Sequence, residues 1–510
     1  MLSSAREAPG QAHPTGGAAF NVKVAFLTRC IRMVSYGAIS PVFLNYLSAI
    51  GFSGLQTGVL LTGILLGDLV ITLYLSTRAD ALGRRRTLVL ASLLKVLAGA
   101  AFASTSSFGL LVFSGIVGVI STSGGEIGPF MAVEQAVLTD SLAQARVEAG
   151  LEPRTKKEEG AAVAVVIGWY TAAGYLCQAL GALASGLAVQ HLPALLSCTA
   201  LSATRLVFFA YAALGGLLAL LYSTLAPSCE AKPRPPQAAA PPGDGQAPPA
   251  CCPAALAPCL PSVSYGLRRP ESIHIVARLS ALFAMDSFAG AFVMQAWVAF
   301  WFTQRWGFSA DLVGYLLMGA NVVAGLSGVA AAHFVRRYGA MLTMVASHLP
   351  SNVLLLAVPL MPSGAAAAAM LTARFSISQM DVPARQAYVQ MVVASDERSA
   401  AGGITNLVRS LGMSLAPLLL GYMMDSRPVA GAFTLFSLPW VLAGGIKIAY
   451  DLLLYGLYLC DSTVQEGEAL ADASEKREAA AAAAEASGAR EAAAATGEEA
   501  REPLLASGSK

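Results

Sequence analysis

The chain has 510 residues, 55% of them hydrophobic and 13% charged, with a mean hydropathy of +0.60 and a formal net charge of +2. This balance excludes an ordinary soluble globular domain, and the chain reads as an all-α integral membrane protein. The eight cysteines have neither disulfide-framework nor metal-ligand spacing, so no metal or cofactor is expected, nor any nucleic-acid partner.

From the N-terminus, about twenty polar residues contain no short apolar core followed by a small-residue cleavage site, so the first membrane segment is expected to act as its own insertion signal. Apolar runs of about 20 residues, each long enough to cross a ~30 Å hydrocarbon core as a helix, occur about twelve times. They lie at 22–48, 53–75, 87–106, 109–139, 161–189 and 203–226, then at 273–304, 309–332, 340–361, 364–394, 400–424 and 430–458. Between the two sets, 227–272 turns to Pro and Ala, a composition that buries too little apolar surface to fold and predicts a disordered tether. It divides the chain into six-helix halves at 22–226 and 273–460, flanked by a tail at 1–21 and an Ala/Glu-rich tail at 461–510. Lys and Arg crowd alternate loops, which places both termini and the tether in the cytoplasm. The sequence does not separate a plasma-membrane address from a vacuolar or lysosomal type of endomembrane.

The two halves repeat. Gly51-Phe52-Ser53, Gly58, Leu60-Leu61, Gly63 and Gly83 fall on Gly307-Phe308-Ser309, Gly314, Leu316-Leu317, Gly319 and Gly339 at a constant offset of 256 (307 − 51 and 339 − 83). Many secondary transporters are built by internal duplication of a helix bundle. The loop between segments 2 and 3 carries Asp80, Gly83, Arg84 and Arg85, with Ser76 where a first glycine would stand. In that pattern it resembles the Gly-x-x-x-Asp-x-x-Gly-Arg-(Arg/Lys) loop of the major facilitator superfamily, over about 20–460 of this chain. The resemblance implies two pseudo-symmetric six-helix bundles of the major facilitator fold, and implies that Asp80 latches the outward-facing state. The stretch from Asp381 to Val389 resembles the multidrug and siderophore exporter group, which implies export. The Gly-Pro of the antiporter pattern is nevertheless missing from segment 5, where Gly168, Gly174, Gly181 and Gly186 occur without it.

Ionisable side chains at bilayer depth are costly unless paired or facing water, so each is a functional candidate. Arg29, Arg32 and Tyr36 share one helical face of segment 1, and Asp68 in segment 2 is a candidate counter-ion. Glu134-Gln135-Ala136 falls on Arg385-Gln386-Ala387 at an offset of 251 (385 − 134), which suggests an ion pair between the halves when one side closes, against separate snorkelling. Pro129 and Pro383 remove backbone hydrogen bonds; with Gly124, Gly125 and Gly128 nearby, segment 4 is expected to bend or open at mid-membrane. Glu126 and Asp381 then sit beside irregular backbone, where substrates and protons bind. Asp286 and Gln295, with Trp297, add cavity candidates in segment 7, while Lys95, Arg374, Arg409 and Lys447 receive no role.

These features predict a secondary active transporter of a small solute working by alternating access. Proton coupling is assigned to Glu126 or Asp381, because low dielectric drives a carboxylate toward proton binding, unless Arg32 or Arg385 comes within a few ångströms. The other readings are sodium coupling, an uncoupled facilitator and a non-transporting sensor on the same fold. No Gly-Lys dipeptide is present for a Walker-type loop, and the five histidines are scattered one per segment, so an enzyme is not expected.

Overall fold

The computed structural model describes residues 17–123, 128–149, 156–230, 267, 269–393, 397–426 and 434–460. Most of the tether, the Ala/Glu-rich tail and Glu126 lie outside the described residues, which form helices and no strands.

In the first half, α1 (Gly17–Ile39) and α2 (Phe43–Ala49) make the first crossing. The second and third are α3 (Gly54–Leu82) and α4 (Arg84–Ser104), and the fourth is divided between α5 (Phe108–Val117) and α6 (Phe130–Glu148). The fifth and sixth are α7 (Lys156–Leu196) and α8 (Ala200–Ser223). The second half repeats this order, with α9 (Pro270–Ala291) and α10 (Gln295–Trp306) as a divided seventh crossing, then α11 (Ala310–Tyr338) and α12 (Ala340–Ala357). The tenth is divided into α13 (Gly364–Ser378) and α14 (Asp381–Met391), and α15 (Arg398–Met424) and α16 (Leu438–Cys460) complete the bundle. Among the described residues, nine helical stretches are long and apolar enough to cross a bilayer. The first, fourth and tenth crossings fall short of that count because Lys23, Arg29 and Arg32 interrupt the first and the other two are broken in mid-course.

The repeated glycines mark the corners of the duplication. Gly83 and Gly339 have φ of 96° and 82°, values open to glycine and strained for a residue with Cβ, and each joins the second helix of its half to the third in a single residue. Ser53 and Ser309 precede α3 and α11, both 29 residues long, and Ser53 forms a capping box with Gln56. Leu, Val and Phe side chains around the perimeter are exposed, as a lipid-facing surface requires.

The halves meet closely at the end opposite the Asp80 loop. A Cβ on Gly58 would lie 2.6 Å from the Pro417 carbonyl oxygen, and one on Gly186 would lie 2.5 Å from that of Ala310. Only glycine lets these backbones approach so far. The Asp425 carboxylate accepts from the Gly54 amide at 2.7 Å at the same end. Toward the Asp80 end, Gly168 of α7 and Gly328 of α11 have open space where a Cβ would point, and Trp169 is 70% exposed.

Candidate transport site

Each half buries a charge centre that ties its first helix to its fourth. In the first half, Arg32 on α1 donates from Nη2 to Oε2 of Glu134 on α6 at 2.7 Å, both side chains being buried. Thr28 Oγ1 donates to Glu134 Oε1 at 2.8 Å, and the hydroxyls of Tyr170 and Tyr222 donate to Oε2 and Oε1. The two tyrosine oxygens also accept from Arg32, and Phe130 lies under the guanidinium, 4.9 Å from its carbon to the ring centroid. Both carboxylate oxygens therefore have two donors, the saturation a buried carboxylate needs.

In the second half the signs are exchanged and the network branches. Asp286 on α9 faces Arg385 on α14 at 3.3 Å, and Arg385 reaches Asp381 at 3.0 Å. Asp286 also pairs with Lys447 on α16. His348 on α12 lies between two acids, with Nε2 3.7 Å from Asp286 and Nδ1 2.8 Å from Asp451. Asn352 donates to the other oxygen of Asp451 at 2.9 Å. An imidazole flanked by carboxylates can take a proton from one side and release it on the other.

Between these centres, uncharged polar groups join the halves where helices are interrupted. Gln295, at the start of α10, accepts from Ser40 (3.2 Å) and Gln178 (3.3 Å) and donates to Asn321 (2.7 Å). The Ala296 amide donates to the Thr122 carbonyl in the opened stretch after α5 at 3.2 Å, and Tyr175 donates to Gln379 at 3.1 Å. Helix interruptions at membrane depth expose backbone groups that can hold a solute. Trp297 is fully buried against Phe300 and Phe436, a packing position.

At the Asp80 loop every described ion pair stays within the first half. Arg84 donates to Asp80 at 2.9 Å and to Asp140 at 2.6 Å, while the Glu230 carboxylate accepts from the backbone amides of Arg84 (2.6 Å) and Arg85 (3.4 Å). Glu230, rather than Asp80, thus occupies the α4 N-terminus, where a negative charge is favoured. Beside it, burial pushes the Cys229 thiol up to about 11.

Two expectations from the sequence change, those for Asp68 and Asp381, and the Glu134–Arg385 pair expected on closure is not formed in this conformation. Asp68 is not the counter-ion of Arg32: it accepts from the Gly128 amide at 2.7 Å and from Thr72 at 3.3 Å, pinning the opened stretch of the fourth crossing, and Glu134 takes the arginine. Glu134 and Arg385 are not partners here, since each is engaged inside its own half. Asp381 has Arg385 at 3.0 Å, the proximity that favours an ion-pair role over a coupling role. Tyr36 packs its ring 4.5 Å from Lys95 Nζ. Glu126 falls outside the described residues. Sequence reasoning passed over Tyr170, Tyr222, His348, Asn352, Lys447 and Asp451. One-turn spacing of Lys447 with Asp451, and of His348 with Asn352, was the available signal.

Comparison with known proteins places these features in a family. An uncharacterized membrane protein of Saccharomyces cerevisiae, YJR124C, is 23% identical over 456 residues, covering 86% of this chain and 94% of its own. Among solved structures, the nucleoside transporter NupG is 13% identical, with a TM-score of 0.61 over 86% of this chain and all of its own. A D-xylose-proton symporter is 14% identical, with a TM-score of 0.60 over 86% and 96%. A bacterial homologue of the human lysosomal transporter Spinster, captured inward-facing and unoccupied, is 16% identical with a TM-score of 0.56 over 90% and 98%. These structures share the fold of two pseudo-symmetric six-helix bundles, and the Major Facilitator Superfamily model matches residues 25–417, so the chain belongs to that superfamily of membrane transporters.

Proposed function

We propose that the chain is a secondary active transporter that carries a small solute by alternating access, coupled to protons through Asp286, His348 and Asp451. The observation that carries this reading is a buried charge centre in each half that ties its first helix to its fourth, with a histidine between two carboxylates in only one of them. With the Asp80 loop cytoplasmic, as the basic loops require, closure at the opposite end makes this conformation inward-facing. Among the described residues, Asp80 pairs only within the first half in that state, in keeping with a latch used in the outward-facing state. Proton coupling draws further support from the fold shared with a proton symporter. Glu126 is a second coupling candidate, tested by Glu126→Gln.

Proteoliposomes holding a pH-sensitive dye and challenged with panels of sugars, nucleosides and organic acids test the proposal. At least one solute is expected to move protons, and His348→Gln is expected to lose that movement while keeping counterflow of the solute. Counterflow without proton movement in the wild type removes proton coupling, and a sodium gradient then separates a sodium-coupled carrier from a facilitator; absence of any flux identifies a sensor.

A further inference from the structure

Most buried cations in this bundle have an acidic partner within ion-pair distance, but the buried Lys95 and Arg374 and the half-buried Arg409 have none among the described residues. Lys95 on α4 is fully buried, its Nζ donating to Ser35 Oγ at 2.7 Å and lying 3.2 Å from the ring centroid of Tyr211. Arg409 on α15 meets only neutral oxygens, of Ser287 at 3.1 Å and Asn406 at 3.5 Å. Arg374 on α13 is 9% exposed, and its Nε has no hydrogen-bond partner. The acids cannot be shared out to them. In the first half Glu134 is saturated and Asp68 is held by the Gly128 amide and the Thr72 hydroxyl, with no ion pair to Lys95, and in the second Asp286, Asp381 and Asp451 are engaged by Arg385, Lys447 and His348.

All three cations adjoin the junction between the halves or an interrupted helix. Tyr211, whose ring covers Lys95, donates to the Val119 carbonyl in the opened stretch after α5 at 2.6 Å. Arg374 precedes by about one turn the break at 379–380, where Gln379 meets Tyr175 of the other half. Arg409 rests on Ser287, next in sequence to Asp286. A buried arginine keeps its charge, and a buried cation without a counter-charge destabilises the empty protein. An incoming anion removes that penalty, whereas a cationic solute adds to it and a neutral one leaves it in place.

We propose that the solute carries negative charge, as a carboxylate or phosphate, and that Lys95 in the first half with Arg374 and Arg409 in the second supply its counter-charge. Guanidinium and ammonium donors suit both groups. An anion bound beside these cations offsets their buried charge, so the loaded protein is more stable than the empty one. This inference rests on the transporter reading for its mechanism, but its test measures recognition without flux.

The unfolding temperature of the purified full-length protein is measured alone and with succinate, inorganic phosphate, sorbitol or tetraethylammonium. Succinate or phosphate is expected to raise it by about 3 °C or more, and the neutral and cationic probes to leave it unchanged. A larger response to succinate identifies a carboxylate site, and a larger response to phosphate a phosphate site. Lys95→Met and Arg374→Met are expected to leave the empty protein as stable as wild type or more so, while abolishing the anion response; Arg374→Lys should keep part of it. The proposal is overturned if neither anion acts, if sorbitol or tetraethylammonium acts as strongly, or if both methionine variants lower the unfolding temperature of the empty protein by about 3 °C or more, which marks structural cations. Transport of a neutral solute without an anion response would sink this inference and leave the transporter reading standing. An anion response without flux would do the reverse.

Discussion

The two halves place their buried charge on corresponding helices and arrange it differently. The first half holds one base and one acid, Arg32 and Glu134, closed off by Thr28, Tyr170 and Tyr222. The second starts from the acid on its first helix, Asp286, and spreads through Arg385, Asp381, Lys447, His348 and Asp451. Duplication has kept the place of the charge and exchanged its sign. Pairing within each half has a physical reason. Contacts between the halves break and re-form in an alternating-access cycle, so an acid that relied on the other half for its base would be left buried and unpaired once per turnover. The first centre is a saturated strut, whereas the second has an imidazole bridging two carboxylates and alternative partners.

The largest effect that would break this comparison is in the first half. Glu134→Gln leaves Arg32 buried without its carboxylate and is expected to cost about 3–5 kcal/mol of stability, most of it recovered on adding Arg32→Met. Asp286→Asn should not be rescued by Arg385→Met, because Lys447 stays buried opposite the lost charge. Thermal unfolding of the single and double variants checks both; equal rescue in the two halves contradicts the contrast. Next in size, Gly58→Leu puts side-chain atoms where a Cβ would already lie 2.6 Å from Pro417 O. It is expected to hold the closed end apart and lower turnover at least about tenfold in a protein that still folds, as solute flux per folded molecule will show.

His348→Gln should change stability by only about 1 kcal/mol, since an amide can still bond to Asp451. Accumulation driven by a pH gradient should nevertheless be lost, and retention of that accumulation would remove His348 from the coupling path. The smallest effect on stability is expected at the Asp80 loop. The Asp80 side chain is 66% exposed, so Asp80→Asn removes an ion pair worth about 0.5 kcal/mol or less. Turnover should fall while expression does not.

The fold was legible to a large extent because its signals are local. Runs of apolar residues give the crossings, and repeated glycines give the corners at Gly83 and Gly339. The opening of the fourth crossing before Pro129 was also readable. The break in the seventh between Ala291 and Gln295 was not, because Phe292-Val293-Met294 contains no helix-breaking residue. In the site, residue types pointed to Arg32, Glu134, Asp286, Asp381 and Arg385, but their pairing did not follow from spacing along the chain. Glu134 finds Arg32 across 102 positions, and His348 finds Asp451 across 103. Such partners are set by helix packing.

The central claim is that the two ends of the bundle exchange closure. Spin labels at Arg78 and Phe334, which match at the offset of 256, report the Asp80 end, and labels at Leu55 and Leu312, near the starts of α3 and α11, report the opposite end; all four positions are exposed. Double electron–electron resonance on the reconstituted protein, its native cysteines replaced by serine, measures both distances between about pH 5 and pH 8, the range in which histidine titrates. Opposite movement is expected, the first pair approaching as the second separates in the same fraction of molecules. Two distances that stay fixed, or that change in the same direction, would contradict it.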